Sequence, residues 1–256
     1  MGPDMSVSAL PPKAAAHGPG ATLHSRLLAL RERYRDAPAQ ALVEAMISRE
    51  FPGEIAVVSA FGAESVVLLH MVARIDPKTP ILFLDTGNLF GETLRYRDML
   101  RGALGLSDIR AIHPSKEDEQ RLDPHRNLWQ RDPDACCHYR KVLPLKRALA
   151  SFAAEVSGRK RFQTRARAEM DVVEQNEARI KINPLANWSL ADLGAYIHNH
   201  ELPRHPLVAE GYLSIGCIPC TERTADPSDY RAGRWSGRNK DECGIHEPWH
   251  VDGEGI

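Results

Sequence analysis

Five cysteines carry the clearest chemical signal in this chain: an adjacent pair, Cys136 and Cys137, a CxxC unit, Cys217 and Cys220, and a lone Cys243. An odd number of cysteines without a secretion signal argues against a disulfide framework and favours metal binding or thiol chemistry. Four thiolates are what an iron–sulfur cluster or a structural zinc ion requires. The adjacent pair and the CxxC unit together supply four.

The adjacent cysteines favour a cluster over a single zinc ion. Neighbouring side chains diverge, which is awkward for one tetrahedral ion, whereas a [4Fe–4S] cubane offers a separate iron to each sulfur. We therefore predict a [4Fe–4S] cluster. Two alternatives stay open at this point: a structural zinc ion, and an inert buried pair beside an unrelated CxxC redox couple.

The lone Cys243 lies in the sequence DECGIH, close to Lys240 and His246 and directly after Asp241 and Glu242. A reactive cysteine works as the thiolate, which a nearby cation stabilises and a nearby carboxylate destabilises. These neighbours oppose one another, so the local sequence allows either a reactive thiol or a structural cysteine.

Local charge indicates an anionic ligand. The chain as a whole is nearly neutral, with 33 Lys and Arg against 34 Asp and Glu in 256 residues, which argues against bulk binding to nucleic acid or membranes. Residues 140–167, however, hold nine basic residues and one Glu, and RAGRW adds Arg231 and Arg234. Guanidinium groups at this spacing suit phosphate or sulfate oxygens, although a solvated basic helix face is the alternative.

These residues lie among alternating strand and helix patterns. EIAVVSA, PILFLDTG, DIRAIHP and ARIKINPL have the apolar, β-rich character of strands, and amphipathic helices lie between the first three. The pattern predicts an α/β fold with a single parallel-type sheet flanked by helices, in which the loops at 59–65 and 85–88 lie at the carboxyl ends of strands, where ligands bind. SAFGAES could there present backbone N–H groups to an anion.

The remaining segments complete the prediction. Two amphipathic helices precede the first strand, and a helical segment at about 136–152 is kinked or restarted at Pro144. A later helix starts at Trp188 or Ser189. We expect residues 114–134 to form a long surface loop and residues 1–20 to be disordered. No apolar run is long enough to span a membrane, so we expect a cytoplasmic protein.

Seven motifs occur together and in a fixed order: SAFGAES, LDTGNLFGET, CCHYRK, IKINPLANW, GYLSIGCIPCT, RAGRW and ECGIH. Between about residues 53 and 247 the chain therefore resembles the assimilatory sulfonucleotide reductases, and specifically the iron–sulfur adenylylsulfate (APS) reductases. It departs from that pattern after RAGRW, where Ser236 and Gly237 stand in place of aromatic residues.

The resemblance implies an adenine-nucleotide-binding, PP-loop-like (Rossmann-like) fold and the reduction of APS to sulfite and AMP. It implies that Cys243 is the nucleophile, that an S-sulfocysteine forms, and that thioredoxin or a similar dithiol protein is the reductant. It assigns a [4Fe–4S] cluster to Cys136, Cys137, Cys217 and Cys220. A homo-oligomer is suggested by resemblance alone.

The resemblance also implies substrate contacts from the two strand-end loops, from basic residues and from the histidine of ECGIH. These predicted substrate-binding residues are Ser59, Phe61, Gly62, Ala63, Ser65, Leu84, Asp85, Thr86, Gly87, Lys141, Arg161, Arg231, Arg234 and His246. Lys141 would lie between cluster and substrate. The implied organisation is a tail at 1–20, a nucleotide- and cluster-binding domain at 21–228, and a mobile C-terminal tail at 229–256 that carries the catalytic cysteine.

Three other functions remain as alternatives. A reductase for the 3′-phosphorylated nucleotide PAPS would share most of the motifs, but relatives with that specificity generally lack the four cluster cysteines. A PP-loop enzyme that thiolates tRNA would need an SGGxDS-type loop, which is missing here. An iron–sulfur or zinc sensor protein would explain the four cysteines but none of the other motifs.

Overall fold

The computed structural model describes residues 22–224, 229–238 and 240–246. The tail predicted to be disordered, residues 1–20, lies outside them. Within these ranges no helix is both long enough and apolar enough to cross a membrane.

A six-stranded sheet forms the centre of the fold, with strand order β3-β2-β1-β4-β6-β5. Its strands are β1 (Ile55–Ser59), β2 (Ile81–Leu84), β3 (Ile109–Ile112), β4 (Ala154–Ser157), β5 (Val173–Asn176) and β6 (Arg179–Ile182). All neighbouring strands are parallel except β5, which pairs antiparallel with β6 at one edge. The predicted α/β class and single parallel-type sheet are therefore confirmed. The sequence patterns did not reveal β4 or β5, because Glu155 and Ser157 interrupt the apolar character of β4 and β5 is a largely polar edge strand.

Helices cover the sheet and connect its strands. They are α1 (Leu23–Arg33), α2 (Ala39–Ala45), α3 (Ser65–Ile75), α4 (Gly91–Leu104), α5 (Lys116–Leu122), α6 (Leu128–Arg131), α7 (Pro133–Cys137), α8 (Leu143–Leu149), α9 (Leu190–Asn199) and α10 (Pro206–Ala209). Ser189, not Trp188, caps α9: its hydroxyl accepts from the N–H of Asp192, and the Asp192 carboxylate accepts from the N–H of Ser189.

The apolar residues divide between the two faces of the sheet. The larger core includes Val57, Phe83 and Ile180 and is covered by the N-terminal helices together with α3, α4 and α9. The smaller core, on the other face, includes Val58 and Leu84 and is covered by α8. The smaller core leaves room on that face for polar groups.

The prediction of a long surface loop at 114–134 is wrong. The segment forms α5, α6 and the start of α7, and Asp123 within it is completely buried. The Asp123 carboxylate accepts from the N–H of Leu128 at 2.9 Å, the hydroxyl of Tyr139 at 2.8 Å and the guanidinium of Arg140 at 3.0 Å. A charged residue can be buried when hydrogen-bond and ion-pair partners are buried with it. The partners of Asp123 come from further along the chain, so the local sequence does not reveal its burial.

The cysteine pair ends α7, from which a helical run continues through α8. Between α7 and α8, His138–Val142 form a wider turn in which the N–H of Leu143 bonds to the carbonyl of His138, five residues earlier. Pro144 lies in the first turn of α8, where its missing N–H does little harm. The predicted kink or restart at Pro144 corresponds to the change from the wider turn to α8, which begins one residue earlier, at Leu143.

The order of the strands creates one switch point. The chain runs outward from β1 through β2 to β3 and then returns to β4, on the other side of β1. Loops at the carboxyl ends of β1 and β4 must therefore diverge, which leaves a crevice of the kind in which open α/β sheets bind ligands.

Candidate functional site

A cavity opens at this switch point. Val58 and Ser59 at the end of β1, Leu84 and Thr86 at the end of β2, and Ser157 at the end of β4 line it. The loop SAFGAES contributes part of the wall, and the C-terminal segment closes the other side. The sheet edge thus brings together segments that are up to about 190 residues apart in the sequence.

Most of the charged side chains that line the cavity are basic. Six are basic and two are carboxylates, Glu64 and Glu242. The six are Lys141, Arg159, Lys160, Arg167, Arg231 and Arg234. Burial, and then the neighbouring cations Arg234 and Arg167, lower the pKa of Arg231 to about 10. The cavity therefore carries excess positive charge that an anionic ligand would stabilise.

Cys243 lines this cavity and is half-buried. Lys141 lies close to it, and also close to Cys137 and Cys217: burial lowers the pKa of Lys141, but the neighbouring thiolates outweigh burial and raise it. A lasting ammonium beside Cys243 is the kind of group that stabilises a thiolate.

Three contacts hold the segment around Cys243 in the cavity. The Arg167 guanidinium donates to both oxygens of Glu242 at 2.6 Å each, and the hydroxyl of Thr164 donates to the same carboxylate at 2.8 Å. Arg231 donates to the carbonyl of Asp241 at 2.7 Å. From the sequence alone, the carboxylate of Glu242 was expected to destabilise a thiolate at Cys243. In the structure, Arg167 neutralises the charge of that carboxylate.

The other four cysteines surround a second, smaller cavity. Cys136 and Cys137 approach it from α7, and Cys217 and Cys220 approach it from the loop that carries the CxxC unit. Lys141 and Cys217 line both cavities. The position of Lys141 between cluster and substrate stays a prediction.

The four thiols do not converge on one point. Within the described part of the chain, no group of three or more His, Cys, Asp and Glu side chains is arranged to hold a metal ion. The hydroxyl of Thr86 lies 3.2 Å from the sulfur of Cys217, so a strand-end loop of the first cavity contacts the second.

The segment RAGRW joins the two cavities from the other side. Arg234 donates to the carbonyl of Cys220 at 3.2 Å and packs on the ring of Trp235 at 4.4 Å. A Cβ at Gly216 would lie 2.4 Å from Nη2 of Arg234, so a side chain there would displace the guanidinium from this position.

A buried ion pair supports the cysteine pair from behind. Arg140 donates to Asp123 at 3.0 Å and to the carbonyl of Thr86 at 2.8 Å. Both side chains of the pair are almost fully buried, at 5% and 0% exposure. Arg140 therefore ties the helix that carries Cys136 and Cys137 to the end of β2.

Most of the predicted site residues line the first cavity. Those that do are Ser59, Gly62, Ala63, Ser65, Leu84, Thr86, Lys141, Cys217, Arg231, Arg234, Cys243 and His246. Four predicted substrate-binding residues do not line it, namely Phe61, Asp85, Gly87 and Arg161.

The assignments of Phe61 and Arg161 need correction. Phe61 is fully buried in the core, where its ring meets that of Phe83 edge to face at 5.3 Å. Arg161 points away from the cavity, with its guanidinium bonded to the carbonyl of Met170 and the side chain of Asn187. Spacing within GRKRFQ could not reveal which arginine turns inward, because the segment after β4 forms short irregular turns instead of a regular element.

Sequence reasoning missed several residues of the cavity. Arg159, Lys160 and Arg167 lie in the basic run and take the place predicted for Arg161. Lys181, on β6, also went unnoticed, although its ammonium lies 2.9 Å from Nδ1 of His246. The alternation Ile-Lys-Ile normally indicates an exposed lysine, and nothing local signals that the C-terminal segment covers it.

Comparisons with known proteins agree with this geometry. Residues 54–223 match the model of the phosphoadenosine phosphosulfate reductase domain. The chain is 50% identical to an adenosine 5′-phosphosulfate reductase of Chelativorans sp. over 86% of this chain and 91% of the relative. It is 52% identical to a protein of the same name from Mesorhizobium japonicum over 80% of this chain and 81% of that relative.

A solved structure shares the fold over most of the chain. The crystal structure of a phosphoadenylyl-sulfate (PAPS) reductase from Candida auris, in complex with phosphate, superimposes with a TM-score of 0.63 and 26% identity, covering 78% of this chain and 97% of the other. Fold, family model and relatives agree. This chain therefore belongs to the phosphoadenosine phosphosulfate reductase domain family.

Proposed function

We propose that this protein reduces APS to sulfite and AMP in sulfate assimilation. The proposal rests on the location of Cys243, which lies in a cation-rich cavity at the switch point of the sheet. The chain belongs to a protein family that acts on sulfonucleotides. The relatives that are 50% and 52% identical are named for APS, which favours APS over PAPS as the substrate.

The first chemical step uses the thiolate of Cys243. Its sulfur attacks the sulfur of the sulfate group, an S–S bond forms, and the S–O bond to the phosphate breaks. AMP leaves with the bonding electron pair on its phosphate oxygen, and the enzyme retains an S-sulfocysteine. No external proton is consumed, because the thiolate has already lost its proton.

Charge decides the rate of this step. A negatively charged thiolate approaches a negatively charged sulfate ester, so the transition state needs cations fixed around the reacting atoms. Lys141, Arg231 and Arg234 line the cavity together with Cys243, and bonds to backbone carbonyls hold Arg231 and Arg234 in place. Such preorganised charge lowers the barrier without reorganisation during the reaction.

A dithiol protein such as thioredoxin would complete the cycle. One of its thiolates attacks the sulfur of Cys243, sulfite leaves, and a mixed disulfide forms. The second thiol of the dithiol then displaces Cys243, which regains its thiolate. The dithiol supplies both electrons and is oxidised to a disulfide, so the balance requires no other electron donor.

We further propose that Cys136, Cys137, Cys217 and Cys220 hold a [4Fe–4S] cluster. One tetrahedral zinc ion would need four sulfurs about 2.3 Å from a single point. The four cysteines line one small cavity, and a cubane offers each of the four sulfurs its own iron. When bound, the cluster would supply structural support and a charged centre beside Lys141.

Metal analysis tests this assignment. We expect anaerobically purified protein to be brown and to contain about four iron and four sulfide per chain, as a [4Fe–4S] cluster requires. Cys217→Ser is expected to lose most of both. A stoichiometric zinc ion, or full activity without iron, would contradict the proposal.

The proposed organisation assigns the nucleotide and the cluster to residues 21–228 and the catalytic cysteine to the tail at 229–256, in a cytoplasmic enzyme. Among the described residues of that tail, 229–238 and 240–246, the segment around Cys243 closes one side of the cavity. Mobility of the tail would let substrate enter and a dithiol protein reach Cys243.

Product release from the two nucleotides tests the proposed function. With thioredoxin supplied, we expect sulfite and AMP from APS with a kcat/KM well above that for PAPS. A preference for PAPS would favour the alternative reductase. If neither nucleotide yields sulfite and AMP although the iron content is intact, the proposal is overturned and a sensor function is favoured instead.

A further inference from the structure

A row of charged side chains crosses the face of the sheet opposite to its larger core. Lys181 on β6 pairs in register with Glu155 on β4 and with Glu174 on β5. Ile180 and Ile182, which flank Lys181 on β6, point into the larger core. Because successive side chains of a strand alternate between faces, Lys181 points to the other face. Lys181 and Glu155 are nonetheless only 1% exposed each. Something polar must cover them.

The C-terminal segment supplies that cover. The ammonium of Lys181 lies 3.4 Å from Glu155 and 2.9 Å from Nδ1 of His246, three residues after Cys243. Glu155 is itself fixed, because Asn176 donates to it at 2.9 Å. A buried ammonium is stable only when its donors are used, and here they bind one carboxylate and one imidazole nitrogen.

The identity of the imidazole nitrogen has a chemical consequence. An ammonium has donors and no acceptor, so Nδ1 of His246 must accept. In a neutral imidazole the other nitrogen, Nε2, then carries the proton. Burial, and then the cations Lys181 and Arg159, hold the pKa of His246 well below its usual range, so the ring is neutral.

We propose that Lys181 is a positioning residue: through its bond to Nδ1 it fixes His246 as the Nε2–H tautomer on the wall of the cavity beside Cys243. This proposal rests on the proposed function. His246 lines the cavity, so its N–H becomes a neutral hydrogen-bond donor for an anionic oxygen of the bound sulfonucleotide. The same bond anchors the segment that carries the nucleophile.

The arrangement predicts an alkaline limit. Burial lowers the pKa of Lys181 from 10.5 to about 8, against the raising effect of Glu155. Above that pH the neutral amine can accept as well as donate a hydrogen bond, so Nδ1 is no longer obliged to accept and the Nε2–H tautomer is no longer fixed. The charged groups that face the pair, from every element packed against it, are Glu155, Glu174, Arg159, Arg167 and Arg231.

Single-turnover kinetics test the proposal. Holoenzyme is mixed with APS without a dithiol, and AMP release is followed for the wild type, Lys181→Met, His246→Ala, His246→Gln and the double variant Lys181→Met/His246→Ala. Lys181→Met is expected to slow release by about 10- to 100-fold, as loss of a residue that orients a functional histidine typically does. Lys78→Met is the matched control and should behave as the wild type. Lys78 is exposed and lies just before β2, on the other side of β1 from β6.

Non-additivity separates a positioning role from a structural one. If Lys181 acts through His246, the double variant is no slower than His246→Ala alone. His246→Gln, whose amide N–H can reach as far as Nε2, should recover part of the rate. A double variant slower than His246→Ala by the full factor of Lys181→Met would overturn the proposal.

Two measurements avoid any folding defect of the variants. Nitrogen-15 NMR of histidine-labelled wild-type holoenzyme should show Nδ1 of His246 unprotonated at pH 7, and its rate of AMP release should fall above about pH 8. A protonated Nδ1 at pH 7 would overturn the tautomer assignment. Failure of the wild type to release AMP at all would instead overturn the proposed function, so the two failures are distinct.

Discussion

Cys243→Ser is expected to abolish the release of both AMP and sulfite from APS. A serine hydroxyl at neutral pH is a far weaker nucleophile than a thiolate, and the cations that line the cavity stabilise an anion but cannot take up the proton of a hydroxyl. Loss of a nucleophile in other enzymes lowers kcat by on the order of 10⁶. The reaction should therefore fall to the background of the assay. Rapid-quench kinetics with labelled APS measure it.

The same variant should bind AMP as the wild type does. The cations of the cavity are unchanged in Cys243→Ser, and serine is close in size to cysteine. Equilibrium binding of AMP and the iron content serve as controls, and both should be preserved. If the variant still releases AMP at the wild-type rate, another thiol or the dithiol itself attacks the nucleotide, and the assignment of Cys243 is wrong.

Asp123→Ala is expected to destabilise the protein by about 3–5 kcal/mol, the usual cost of removing one partner from a buried ion pair. The change removes the nearer carboxylate of the buried Arg140 guanidinium, which keeps Glu119 at 3.6 Å and the carbonyl of Thr86. It also removes acceptors from Tyr139 and from the N–H of Leu128. Because Arg140 follows the cysteine pair by three residues, we expect iron content to fall as well. Chemical denaturation and iron analysis measure the two effects.

Asp98→Ala provides the matched control. Asp98 forms a 2.8 Å ion pair with Arg97, but its side chain is 63% exposed. Exposed pairs contribute about 0–1 kcal/mol, so this variant should unfold almost as the wild type does. Equal effects of the two substitutions would show that burial of the Asp123–Arg140 pair is not what makes it important.

The fold class followed from local patterns. Apolar β-rich runs at Ile55–Ser59 and Ile81–Leu84, each followed by a helix, predicted a parallel sheet, and the structure confirms it. The start of a helix was predicted at Trp188 or Ser189, and the structure has Ser189 as the cap of α9. These predictions succeed because strand periodicity, helix periodicity and caps depend on residues a few positions apart.

Several features escaped local reasoning. The segment 114–134 looked like a surface loop because it is highly charged, yet Asp123 is buried by partners that include Arg140, 17 residues later. The polar edge strand Val173–Asn176 has no apolar alternation to reveal it. In both cases long-range pairing overrides the local signal.

By itself, the sequence determined which residue types are available for chemistry: four cysteines in two close pairs, one separate cysteine, and an excess of cations in 140–167. Only the tertiary structure decided which of them meet. It turned Arg167 inward and Arg161 outward, placed Lys141 in the lining of both cavities, and buried Lys181 beneath His246. The physical reason is that side-chain direction and burial depend on contacts between distant segments, and the order of strands in the sheet, which no local pattern encodes, sets those contacts.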